Sequence, residues 1–142
     1  MMRAVKRIRH DCAGSTIIEF AILAPAIVTL LLGIFQIGMF MQNYNALRSV
    51  AADTGRYVAI QYQKGVLLTN DQMGEWAHDR GVDAYMFDDA LNTVVEDAAI
   101  QQITGVTEKS LKLNYTRESI LSIIGIDDQE VTFTRPIFVK SS

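Results

Sequence analysis

The sequence predicts an α+β fold: a long N-terminal transmembrane and stalk helix, followed by a small C-terminal head of helix and two β-strands. Three observations predict it. No charged residue lies between Glu19 and Arg48, and Phe20 to Met41 is almost wholly apolar. Apolar or small residues then recur at Phe40, Tyr44, Leu47, Ala51, Thr54 and Val58, in alternating steps of four and three. In the last third the period changes to two, with Leu111, Leu113 and Tyr115 alternating with Lys112 and Asn114. The expected organisation is a leader at 1–14, an anchor at 15–41, an amphipathic stalk at 42–62 and a head at 63–142.

The anchor comes first. As a helix, Phe20 to Met41 would span about 33 Å, close to the hydrocarbon thickness of about 30 Å. The rest of the chain is too small and too polar to wrap such a helix completely. Charge divides on either side of it. Arg3, Lys6, Arg7 and Arg9 face only Asp11 in the first fourteen residues, whereas the remainder is acidic. Basic flanks stay cytoplasmic, so the acidic bulk is expected to cross the membrane. An acidic exported part offers no electrostatic footprint for nucleic acid. Cys12 is the one cysteine and lies in the leader, so the exported part can form no disulfide.

The order of features excludes two common leaders. In a secretory signal the apolar region precedes a small-residue cut site. Here the cut-like Gly14 precedes the apolar run, and Met39-Phe40-Met41-Gln42 after it has poor spacing for such a cut. A lipoprotein signal also places its cysteine after the apolar stretch, not before it. A plain uncut anchor accounts for the basic end and the apolar run, but not for an acid, Glu19, at the mouth of the anchor.

The run Gly14-Ser15-Thr16-Ile17-Ile18-Glu19-Phe20 resembles the prepilin peptidase site of type IV pilin-like proteins. Extended through Ala21-Ile22-Leu23-Ala24-Pro25, with Leu30-Leu31-Leu32-Gly33-Ile34 and Gly38, it resembles the TadE-like pseudopilins of the tight adherence, or Flp, pilus. Ala51-Ala52-Asp53-Thr54-Gly55-Arg56-Tyr57-Val58-Ala59 is similar to the segment after the anchor in that family. The resemblance covers roughly residues 14 to 60. It implies a minor pilin or pseudopilin, cut by a prepilin peptidase between Gly14 and Ser15, with Glu19 and Phe20 guiding assembly. The implied partners are that peptidase, other pilin or pseudopilin subunits, the assembly platform and the bacterial inner membrane. The implied topology is single-pass, with the C-terminal part outside the cytoplasm. One position departs from the family, which often has an acid where this chain has Gln36. An amide is less unfavourable in lipid and can hydrogen-bond between helices.

The junction has its own chemical logic. Gly14 has no side chain, so its backbone can enter a narrow cleft in extended form. A new Ser15 amine would be largely protonated near neutral pH. Ser15 and Glu19 are four apart, which stacks them on one helix face. The carboxylate could then meet its own amine or that of a neighbouring subunit. Early in the helix the backbone dipole also favours a negative group. Pro25 cannot donate to the carbonyl of Ala21 and should kink or loosen the helix, with Thr29 a candidate to satisfy the freed carbonyl. Gly33 and Gly38 permit close approach, but their spacing is not the GxxxG dimer pattern.

Beyond the anchor the helix is expected to run to about Gln61 and break at Gln63-Lys64-Gly65. Its apolar stripe suits either the chain's own head or a seam between subunits, and Asp53 is placed to pair with Arg56. Thr69 and Gln72 have capping-box spacing, so a short helix should start there and end by Gly81. A further helix is expected from Ala84 to Ile103. Its inner edge would be Phe87, Leu91, Val94, Val95, Ala98 and Gln102; Asp88, Asp89, Asn92, Glu96 and Asp97 would face water. Two strands then follow, around Leu111–Tyr115 and Val131–Val139, with a turn of helix at Ser119 to Ile124 between them. Pro136 suggests an edge position or a break.

No catalytic set is legible. His78 has Asp79 beside it but no partner at zinc-site spacing. Asp83, Asp88 and Asp89 lack the alternation of a calcium loop and read as a solvated helix start. No serine sits in a nucleophile elbow and no phosphate-binding loop occurs. Asn114-Tyr115-Thr116 fits a glycosylation acceptor only by chance, and Trp76 reads as an anchor within the head. No enzyme activity, cofactor or metal is expected. The alternative to the pilin-like reading is an uncleaved signal-anchored envelope protein whose exported domain binds another envelope component.

Overall fold

The computed structural model describes residues 13–84, 86–99 and 106–140. The expected leader, with His10 and Cys12, therefore lies outside the described residues up to residue 12.

Helix α1 (Ala13–Gln63) is a single element of 51 residues, about 76 Å long at 1.5 Å per residue. It stops close to where the sequence breaks. Gly65 adopts φ 79°, its N–H donates to the Tyr62 carbonyl, and the Val66 N–H donates to the Gln61 carbonyl. This Schellman closure satisfies carbonyls that the last turn leaves open. Helix α2 (Asn70–Asp83) begins on the expected capping box. The Thr69 hydroxyl accepts from the Gln72 N–H, and the Gln72 side chain accepts from the Thr69 N–H. Thr69→Ala should therefore cost about 1 kcal/mol, read as a lower urea midpoint by Trp76 fluorescence; an unchanged midpoint would refute the cap. Gly81 does not end α2 as expected. It is buried, two residues before the end, and a Cβ there would run into a methyl of Leu91.

The expected helix from Ala84 to Ile103 does not form across its described part. Asp88–Ala90 is a 3-10 turn and Leu91–Asp97 is strand β1; residues 100–105, with its expected C-terminal end, lie outside the described residues. Asp88 and Asp89 thus lead into a strand, and Asp83 closes α2. The physical reason is an ambiguity of period. Leu91 and Val95 are four apart, which keeps them on one face of a helix and equally on one face of a strand. The β-branched run Thr93-Val94-Val95 favours the strand.

Among the described residues the head therefore holds three strands rather than two. β1, β2 (Val106–Arg117) and β3 (Gln129–Lys140) form an antiparallel sheet in the order β1-β2-β3. Cross-strand rungs set its inner face: Leu91, Tyr115 and Val131 align, as do Thr93, Leu113 and Phe133. Pro136 sits in edge strand β3, where its missing N–H costs the sheet least. Between β2 and β3 the expected helical turn is a 3-10 segment, Ile120–Ile124, capped by the Ser119 hydroxyl and closed by Gly125 at φ 82°.

Both helices cover one face of the sheet, α1 chiefly over β3 and α2 over β1. Leu47, Val50, Ala51, Thr54 and Val58 of α1 are buried with Met73 and Ala77 of α2 and with Leu111, Leu113 and Tyr115 of β2. The stripe of alternating steps thus packs on the chain's own head. Thr54 satisfies its buried hydroxyl by donating to the Val50 carbonyl at 2.7 Å. Tyr57 stacks on Trp76 with ring centroids 4.5 Å apart, and Tyr44 meets Phe133 edge-on at 5.7 Å. Asp53 lies 3.8 Å from Arg56, as expected, and 3.2 Å from Arg80 of α2. Gly55 leaves room for Arg135, whose Nε would lie 3.9 Å from an added Cβ. Where β1 ends, Lys109 donates to Asn70 and to Asp97, and that ammonium holds the Asp97 carboxyl below its ordinary range.

Candidate functional site

The N-terminal half of α1 has the opposite character. From Thr16 to Phe35 no described side chain is buried. Ile17, Ile18, Phe20, Ile22, Leu30, Ile34 and Phe35 are among the large apolar groups left open to the surroundings. An apolar helix exposed on all sides is in its stable environment in lipid, where every backbone group is satisfied within the helix. Those twenty residues span about 30 Å, the thickness of a hydrocarbon core.

The junction lies at the start of this segment. Gly14 and Ser15 are already helical, so a protease that takes its substrate extended must first unwind that turn. Ser15 and Glu19 share one uninterrupted helix, which keeps them one turn apart on a common face. The first turn of α1 holds no acid; Glu19 lies one turn further in, where the dipole contributes less. Glu19 and Phe20 are both exposed.

Pro25 lies inside α1, which continues through it. Thr29 assists, though not at the expected carbonyl. Its hydroxyl donates at 2.8 Å to the carbonyl of Pro25 itself, four residues back, rather than to that of Ala21.

A second contact was not legible in the sequence. Gln36, in the apolar run, is only 6% exposed. Its Nε2 donates to the Ser119 hydroxyl at 2.8 Å, and that hydroxyl donates back to Oε1 at 3.2 Å. The Ser119 Oγ also accepts from the Leu121 N–H, while the Ser119 N–H donates to Asp128. The hydroxyl thus uses its donor and both acceptor positions. The polar residue in the anchor was visible as an oddity; its partner, 83 positions away, gave no local signal. Gln36 therefore bonds to the head of its own chain.

Among the described residues no group of three or more His, Cys, Asp or Glu could hold a metal ion. His78 approaches Asp88 rather than Asp79, with Nε2 3.4 Å from its carboxylate. An open depression beside it, between α2 and β1, is lined by Asn70, Asp71, Glu75 and Thr93 among others and contains no nucleophile paired with a base.

Fold and site together define a head-and-stalk protein: among the described residues, one helix long and apolar enough to cross a membrane, with an α+β head packed on its second half. Residues 14–56 match the family model described as TadE-like protein. The match covers the exposed apolar half of α1 and much of its packed half, and the α2 and sheet portion of the head lies beyond it. No curated protein and no solved structure matches the chain.

Proposed function

We propose that this chain is a pseudopilin or minor pilin that serves assembly of a Tad (Flp) type IV pilus. A prepilin peptidase cuts between Gly14 and Ser15. α1 holds the product in the bacterial inner membrane, with the head outside the cytoplasm, until it joins other pilin-like subunits at the assembly platform. The observation that carries this reading is the TadE-like match, which opens on Gly14 and runs through the exposed apolar half of α1. The chemistry agrees. Removing the leader takes away Arg3, Lys6, Arg7 and Arg9, which would otherwise hold the end at the anionic membrane surface. It leaves an amine one helical turn from Glu19.

The test is the intact mass of the protein extracted from the membrane of its native cell. The expected mass corresponds to Ser15 as the first residue. A fully functional protein that still carries the leader would overturn processing and favour the uncleaved anchor. Co-purification with pilus subunits is expected in addition, and its absence would count against the assembly role.

A further inference from the structure

Three large apolar side chains stand exposed within one short segment of the head. Ile120, Ile124 and Ile126 lie on and just after the 3-10 turn between β2 and β3, exposed by 37%, 54% and 41%. Single exposed isoleucines are ordinary on a protein surface; several in one rigid loop call for a partner. This loop is rigid by construction. Leu121 points into the head and is buried, the Ile126 N–H donates to the Leu121 carbonyl, and Asp128 accepts from the Ser119 N–H. The three isoleucines are therefore held outward while their neighbours are tied down.

Position identifies what they meet. Ser119, the residue before the turn, is bonded to Gln36 of α1. Gln36 follows directly on the stretch Thr16–Phe35, in which no described side chain is buried. If that stretch fills the hydrocarbon layer, the turn stands at the level where the helix leaves it. Phe87 belongs to the same end of the head, exposed, with the Arg117 guanidinium 5.3 Å above its ring, and it shares a surface depression with Ile120.

We infer that the Ile120–Ile126 segment is a second membrane contact, in which Ile120, Ile124 and Ile126 enter the headgroup and acyl boundary of the same bilayer that α1 spans. The inference rests on the membrane-spanning reading of α1. The contact is apolar in character. Glu118, Asp127 and Asp128 outnumber Arg117 beside the isoleucines, so anionic lipid offers no net attraction and zwitterionic phosphatidylcholine suffices. Helix and turn together fix the head at two points and set its tilt against the membrane.

The experiment uses the full chain with Cys12→Ser, in phosphatidylcholine nanodiscs carrying lipids spin-labelled near the headgroup or deep in the acyl chain. Single cysteines bearing a fluorophore are placed at Ile27→Cys, Ile124→Cys and Lys64→Cys. Lys64 is exposed just beyond the far end of α1, about 42 Å along the axis from Gln36. The expected result is deep quenching at position 27, with severalfold stronger shallow quenching at position 124 than at 64, unchanged by high salt. Quenching at 27 with none at 124 leaves the anchor in place and overturns the second contact. No quenching at 27 overturns the spanning reading and the inference with it. A spectral shift at 124 that grows with copies per disc, without lipid quenching, assigns the surface to a second copy of the chain and overturns the lipid contact.

Discussion

Glu19→Ala is expected to leave the leader cut and to stop pilus assembly. Under the proposed function the cut falls in the backbone between Gly14 and Ser15, which a side chain one turn further along α1 does not need to touch. Assembly is different. In the proposed assembly, a subunit sliding into a bundle of like helices would carry its carboxylate into a medium where an unanswered charge costs several kcal/mol. A protonated amine one turn away, on the same or a neighbouring chain, offsets that cost and does so only in the correct axial register. Alanine removes both the cost and the register, so mispositioned subunits are no longer penalised. Losing even about 1.4 kcal/mol of preference lowers correct incorporation about tenfold. Glu19→Gln, which keeps the shape and discards the charge, should behave like alanine. The measurements are the intact mass of the membrane form and the amount of pilus sheared from the cell surface. If both variants lose cleavage and assembly together, the carboxylate belongs to peptidase recognition and the register argument fails.

How far the sequence reveals this molecule depends on the range of the interactions. The capping box at Thr69 and Gln72 was legible because both partners lie within one turn. The end of α1 was legible because Gly65 takes a conformation that other residues resist. Pro136 marked an edge because a proline has no N–H to give a second neighbour. β1 was not legible, since Phe87, Leu91 and Val95 recur every four residues and four suits both periods. The β-branched run Thr93-Val94-Val95 leans to the strand and the sheet completes it: Leu91 and Val95 align with Tyr115 and Leu111 of the central strand. The stripe from Phe40 to Val58 showed that α1 must pack on something, but a spacing of three and four does not name the partner. The head supplies it, with Thr54, Ala51 and Leu47 fully buried. Gln36 was legible as an oddity and its bond to Ser119 was not.

The contrast along α1 is itself informative. A uniformly buried helix would belong to a soluble core, and a uniformly exposed one would have no reason for its apolar stripe. Here burial begins at Gln36, among the described side chains, and continues through Val58. Water-soluble packing holds the second half, so damage to the head core should spare the anchor.

Leu113→Ala is the sharpest test of that separation. Leu113 is fully buried at the middle of central strand β2, between Thr93 and Phe133. Truncation to alanine in such a site costs about 2–5 kcal/mol, from lost transfer energy and from the cavity left behind. A small head has little stability to spare, typically about 5–15 kcal/mol for a whole domain, so the loss should move its unfolding midpoint far or unfold it outright. Trp76, the one tryptophan, stacks on Tyr57 across α1 and α2 and reports that transition in urea with the chain held in mild detergent. Phe35→Ala is the matched control, because Phe35 is 60% exposed on the anchor and should leave the midpoint where it was. Membrane retention should survive in the Leu113 variant, since the exposed half of α1 makes no use of the sheet. An unchanged midpoint in Leu113→Ala, or an equal drop in the Phe35 variant, would mean that the head is not held by the core that its sheet and stalk define.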